Sequence, residues 1–85
     1  MKTLVEASNE GLESFIGQKI TLFCANYFYS GRLVGVGKND VKLEDPAIVY
    51  ETGAFTEKQY KDEQKLGVQY WYVRRSAVES YGVLH

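Results

Sequence analysis

A chain of 85 residues, 45% hydrophobic and 14% aromatic, is long enough for one domain and too apolar to be disordered. A single cysteine, Cys24, excludes an intrachain disulfide, and with one histidine, His85, it argues against a four-ligand zinc site. Ten Lys and Arg against eleven Asp and Glu, a net charge of −1, disfavour a protein that coats nucleic acid indiscriminately and leave a local basic site open.

A domain this small buries about 60–65% of its unfolded surface. With neither disulfide nor metal, self-association is the expected source of added stability, and no cofactor is expected. No apolar run approaches the roughly 18–20 residues that span a bilayer. The segment from Met1 to Glu6 has no signal-peptide apolar stretch. A lone thiol suits a reducing interior, so the expectation is a cytoplasmic protein with no membrane partner.

Residues 1–16 are expected to be helical. Thr3 and Glu6 fit a capping box, Leu4, Val5, Leu12, Phe15 and Ile16 fall on one face, and Gly17 provides the stop. Residues 19–50 then read as strands. Ile20 to Cys24 is β-branched and aromatic, Ala25-Asn26 offers a turn, and Tyr27 to Val36 continues the sheet. Gly31 and Gly35 mark bulges or bends inside that second strand. Gly37-Lys38-Asn39-Asp40 is a polar turn, Val41 to Glu44 resumes the sheet, Pro46 suggests an edge or bulge, and Ala47 to Tyr50 follows.

Residues 51–67 mix both charge signs with few apolar positions and read as a solvated loop. Residues 68–84 return to strand, Val68 to Arg74 and Val78 to Leu84, joined by a tight connection at Arg75-Ser76-Ala77. One N-terminal helix and about five short antiparallel strands fit a single, mostly β domain over residues 1–85. The glycine bends suit a small five-stranded antiparallel barrel of SH3-like kind.

These segments resemble the Sm/LSm family, which includes the bacterial Hfq-type proteins, over residues 12–81. The run from Leu12 to Leu22 is similar to the family's helix entering its first strand. Gly31, Leu33, Val36 and Asn39-Asp40-Val41-Lys42-Leu43 resemble the first Sm motif, and Val73-Arg74-Arg75-Ser76-Ala77-Val78 resembles the second. The turn after Val36 is one residue shorter than the family pattern. Gly37 stands where Asp is usual, Asp40 where Asn is usual, and Arg75 where Gly is usual. The resemblance implies a bent five-stranded barrel with an N-terminal helix. It also implies a ring closed edge to edge, fourth strand to the next subunit's fifth, with both motif turns at the pore binding single-stranded RNA.

Five residues follow as candidate nucleic-acid contacts: Lys38, Asn39, Asp40, Arg74 and Arg75. Arg74 matches the motif arginine, and its guanidinium suits stacking on a base or a two-bond grip on phosphate. Arg75 adds a second charge. Asn39 presents a paired donor and acceptor to a base edge, Lys38 a phosphate counter-charge. Asp40 repels phosphate but accepts from a base amino group or orients Arg74. The same residues also suit a solvated hairpin turn and strand end, or salt bridges between subunits.

The aromatic triplets Tyr27-Phe28-Tyr29 and Tyr70-Trp71-Tyr72 read chiefly as core or interface, and Cys24 as a buried thiol. Glu44-Asp45 and Asp62-Glu63 read as solvated carboxylates, since strand neighbours diverge. No nucleophile–base pair or ligand cluster is assembled, so an enzyme is not expected. The expected function is a non-enzymatic homo-oligomeric ring binding single-stranded nucleic acid, RNA ahead of DNA, in its processing or chaperoning. The alternative is an oligomeric scaffold or protein-interaction module without nucleic acid, which the acidic pI of about 5.8 favours.

Overall fold

A computed structural model describes residues 11–84. Residues 1–10, which carry most of the expected N-terminal helix, lie outside them. The described remainder of that helix is a single 3-10 turn, Leu12–Phe15. Gly17, at φ 95°, stops it in the left-handed region that glycine enters without strain. Its N–H donates to the Leu33 carbonyl at 2.7 Å, tying the turn to the sheet.

Six antiparallel strands follow: β1 (Lys19–Cys24), β2 (Phe28–Val36), β3 (Asp40–Glu51), β4 (Asp62–Lys65), β5 (Tyr70–Arg74) and β6 (Val78–Gly82). They form one sheet in the order β4-β3-β2-β1-β6, with β5 also paired to β3. Long β3 thus carries β2 along one edge. On its other edge it carries β5 opposite residues 40–44 and β4 opposite residues 47–51. A second 3-10 turn, Arg75–Ala77, links β5 to β6.

The expectation of five strands is corrected to six, and no ladder joins β6 to β4 or β5 among the described residues. The sixth strand is β4, inside the stretch expected to be loop. Its four residues pair with Ala47, Ile48, Val49 and Glu51 at the sheet margin, where solvent on the outer side permits a charged sequence. Pro46 does not divide β3. It sits at a bulge, where the register steps from Ser30↔Ala47 to Arg32↔Glu44, so that Gly31 faces both Asp45 and Pro46.

Glycine is required at that crossing. A Cβ on Gly31 would meet the Glu44 carbonyl oxygen at 3.1 Å, Leu43 Cβ at 3.2 Å and Pro46 Cα at 3.4 Å. Asp45 takes up the remaining distortion at φ 51°. A second register step lies between Leu33 and Gly35, so both glycines expected to mark irregularities stand at them.

Alternating residues of β1, β2, β3 and β5 build the core. Leu12, Ile20, Leu22, Cys24, Leu33, Val41, Leu43 and Val73 form one cluster. The opposite face of β1 is covered as well. The segment after β3 folds back so that Tyr60, 7% exposed, hydrogen-bonds through its hydroxyl to the buried Thr21 hydroxyl. Beside it, the Ser30 hydroxyl donates to Glu63, which also pairs with Lys19. No helix among the described residues is long and apolar enough to cross a membrane.

Candidate functional site

The β2–β3 turn and the β5–β6 turn are far apart in sequence and adjacent in space. Pairing of β5 with the start of β3 sets Arg74 opposite Asp40 and Val73 opposite Val41. The buried Val41–Val73 pair therefore holds the two turns together from below. Lys38, Asn39, Asp40, Arg74, Arg75 and Ser76 line one open cavity of about 370 Å³. All five residues singled out in the sequence meet there. Ser76 is the one further lining residue, and its only sequence signal was adjacency to the arginine pair.

Backbone bonds clamp the cavity walls. The Gly37 N–H donates to the Asp40 carbonyl at 2.8 Å, closing the first turn, and the Arg75 N–H donates to the Asn39 carbonyl at 2.8 Å, locking the second turn to it. The side chain of Arg75 does the same work. Its Nη1 donates to the Gly37 carbonyl at 3.1 Å, and its Nη2 lies 3.6 Å from Glu13 Oε1. Arg75 is thus committed to intrachain bonds, with Glu13 and Gly37 as partners that sequence reading did not bring to it.

The other charged groups are available. The side chains of Lys38, Asp40 and Arg74 are exposed and make no hydrogen bond or ion pair with any described residue. Arg74 and Asp40 face each other across the ladder without pairing. The cavity thus presents two uncommitted cations, one uncommitted carboxylate, the Asn39 amide and the Ser76 hydroxyl. Such donors suit anions, and the amide, hydroxyl and carboxylate add groups that can hydrogen-bond a base edge.

Aromatic rings continue outward from it. On the face of Asp40 and Arg74, β3 and β5 next place Lys42 opposite Tyr72, then Glu44 opposite Tyr70. The Lys42 ammonium lies 4.1 Å from the Tyr70 ring centroid and 5.8 Å from that of Tyr72. Tyr72 is 60% exposed. Trp71 lies on the core face opposite Leu43, yet at the sheet margin it stays 40% exposed. In the other triplet, Phe28 stacks on Phe23 with centroids 4.3 Å apart.

Other chemistry-bearing residues are engaged within the fold. Cys24 is buried as expected, and burial, then the Glu79 charge, push its thiol pKa up, which suppresses the reactive thiolate. The adjacent carboxylates diverge into separate pairs, Glu44 with Arg32 and Asp45 with Lys65. No group of three or more His, Cys, Asp or Glu suited to a metal ion occurs among the described residues. In comparisons with known proteins, no family model, curated protein or solved structure matches the chain.

Proposed function

We propose that the protein is a non-enzymatic, Sm-like ring subunit that binds single-stranded nucleic acid, RNA ahead of DNA, at the cavity between its two turns. In this reading the bent sheet curls into a small Sm-like barrel, and the cavities of successive copies are arrayed around an axis. The observation that carries it is the meeting of Lys38, Asn39, Asp40 and Arg74 in one clamped cavity. Two cations without a partner among the described residues, beside an amide able to read base edges, suit a chain of phosphates and unstacked bases.

The sheet margins support the assembly. Among the described residues, β5 pairs only with β3 and β6 only with β1, so each keeps an outer edge of the kind that attracts another strand. Apolar side chains crowd these margins: Tyr70, Trp71 and Tyr72 along β5, Tyr81 on β6, and Val83 and Leu84 just beyond, each more than a third exposed. A head-to-tail contact that closes by rotation joins such edges without leaving one over. Each copy brings little positive charge, and a ring adds the copies through effective concentration.

Asp40 and the acidic pI favour a second reading, an oligomeric scaffold without nucleic acid. Native mass spectrometry and fluorescence anisotropy with U-rich and A-rich oligomers at low salt separate the two. The proposed function predicts a closed oligomer that binds these nucleic acids with salt-sensitive affinity. A closed oligomer that binds neither sequence supports the scaffold, and a monomer refutes both.

A further inference from the structure

We propose that the cavity selects guanine among the bases, with the Asp40 carboxylate as the selecting group. The inference rests on the nucleic-acid reading and specifies which base that site takes. Its starting point is that an uncommitted carboxylate lies among uncommitted cations. Asp40 lines the cavity opposite Arg74, yet its side chain makes no ion pair or hydrogen bond with any described residue. The same is true of Arg74 and Lys38. A carboxylate serving only to neutralise its neighbours would be expected to pair with one of them.

An ionised carboxylate only accepts hydrogen bonds, and its two oxygens match two parallel donors. Among the bases, guanine alone presents adjacent donors, N1–H and the N2 amino group, on its Watson–Crick edge. Adenine and cytosine each set one amino donor beside a ring nitrogen that accepts. Uracil and thymine set one N–H between two carbonyl oxygens. Against Asp40, guanine forms two charge-assisted bonds, while every other base forms one and brings a lone pair against the anion. Lys38 and Arg74 remain for the flanking phosphates, which offsets the repulsion between Asp40 and the backbone.

The backbone that bears the carboxylate is also held in place. The Asp40 carbonyl accepts from Gly37 N–H, and the neighbouring Asn39 carbonyl accepts from Arg75 N–H. The backbone bearing the selecting group is fixed before any ligand arrives, and such preorganisation lowers the cost of binding.

The test is fluorescence anisotropy with the full chain and labelled uridine oligomers carrying one central guanosine, inosine, adenosine or uridine. A single guanosine avoids four-stranded G structures. Guanosine is expected to bind about tenfold more tightly than the all-uridine oligomer. Inosine, which lacks the N2 amino group, should lose most of that gain. Asp40→Asn should bring the guanosine and inosine oligomers together. Glu57→Gln, an equal change of charge on the far loop, should leave their separation as it was, and circular dichroism verifies folding of both variants. Equal wild-type affinity for guanosine and inosine, or a preference that survives Asp40→Asn, overturns the selectivity alone. Failure of every oligomer to bind at low salt overturns the nucleic-acid reading and the selectivity with it.

Discussion

The two adjacent arginines should respond oppositely to removal. Arg75 makes one side-chain hydrogen bond to the Gly37 carbonyl at 3.1 Å and one ion pair to Glu13 at 3.6 Å, between side chains 41% and 56% exposed. An exposed ion pair contributes about 0–1 kcal/mol, and a hydrogen bond about 0.5–1.5 kcal/mol. Arg75→Ala should therefore cost about 1 kcal/mol, which in a domain of this size lowers Tm by about 4–8 °C. Arg74 has no intrachain partner among the described residues, so Arg74→Ala should stay within about 0.5 kcal/mol of wild type. Oligonucleotide binding should rank them the other way. Arg74→Ala should weaken it and reduce the slope of log affinity against log salt by about 0.7 for each phosphate that the arginine had neutralised. Arg75→Ala should change that slope little, because its guanidinium is engaged within the chain. Thermal unfolding followed by circular dichroism, beside anisotropy titrations at several salt concentrations, measures both rankings. An Arg75→Ala variant that melts like wild type but loses as much salt slope as Arg74→Ala would refute the division of labour.

Two further perturbations probe the scaffold. Gly31→Ala forces a methyl group against the Glu44 carbonyl at 3.1 Å and should cost about 1–3 kcal/mol in urea unfolding. Gly35→Ala, whose nearest neighbour is Lys42 Cβ at 3.5 Å, should be near neutral, and equal destabilisation at both sites would contradict the crossing described for Gly31. Tyr60→Phe removes the bond to Thr21, 3% exposed, and should cost about 1–2 kcal/mol at pH 7. Burial, followed by the Glu63 charge and opposed by the Thr21 hydrogen bond, raises the Tyr60 pKa above its usual 10.0. The folded state then holds this proton more tightly than the unfolded state. The resulting stability is complete below pH about 10 and is lost as pH rises through the folded value. Urea midpoints measured from pH 7 to pH 11 should fall less steeply for Tyr60→Phe, with Tyr29, also raised by burial, accounting for part of the remaining decline. An unchanged alkaline slope would remove Tyr60 as a source.

Strand positions were legible wherever one face is buried. The alternation Ile20, Leu22, Cys24 and the pair Val41, Leu43 announce strands because every second residue enters the core. The five candidate residues were singled out through the resemblance of their two turns to the Sm motifs, and the β3–β5 ladder brings those turns together. Strand β4 was not legible. Asp62–Lys65 has no apolar face to bury, and its partners, Lys19 and Ser30 for Glu63 and Asp45 for Lys65, come from distant positions. Thr21 lies on the face of β1 opposite Ile20 and Leu22, and its burial comes from Tyr60, a residue 39 positions away that folds over it. The commitment of Arg75 to Gly37 and Glu13 is likewise a product of tertiary structure, so two arginines that look equivalent in sequence differ in the fold.

The position of the cavity links binding to assembly. Residues 70–82 carry two strands at the sheet margins, β5 and β6, with Arg74 at the end of β5 and Arg75 and Ser76 in the turn between them. That turn is fastened to the β2–β3 turn at Asn39 and Gly37. In the proposed ring, neighbours docking on β5 and β6 brace both ends of this turn, and through it the carboxylate and cations of the cavity. A free subunit keeps the clamp, but its cavity brings just two cations uncommitted among the described residues, Lys38 and Arg74, to a phosphate chain. Binding strength then depends on how many cavities a strand visits, so the modest charge of one copy is compatible with the proposal only if the copies assemble. For this reason a soluble monomer would count against the nucleic-acid function as well as against the ring.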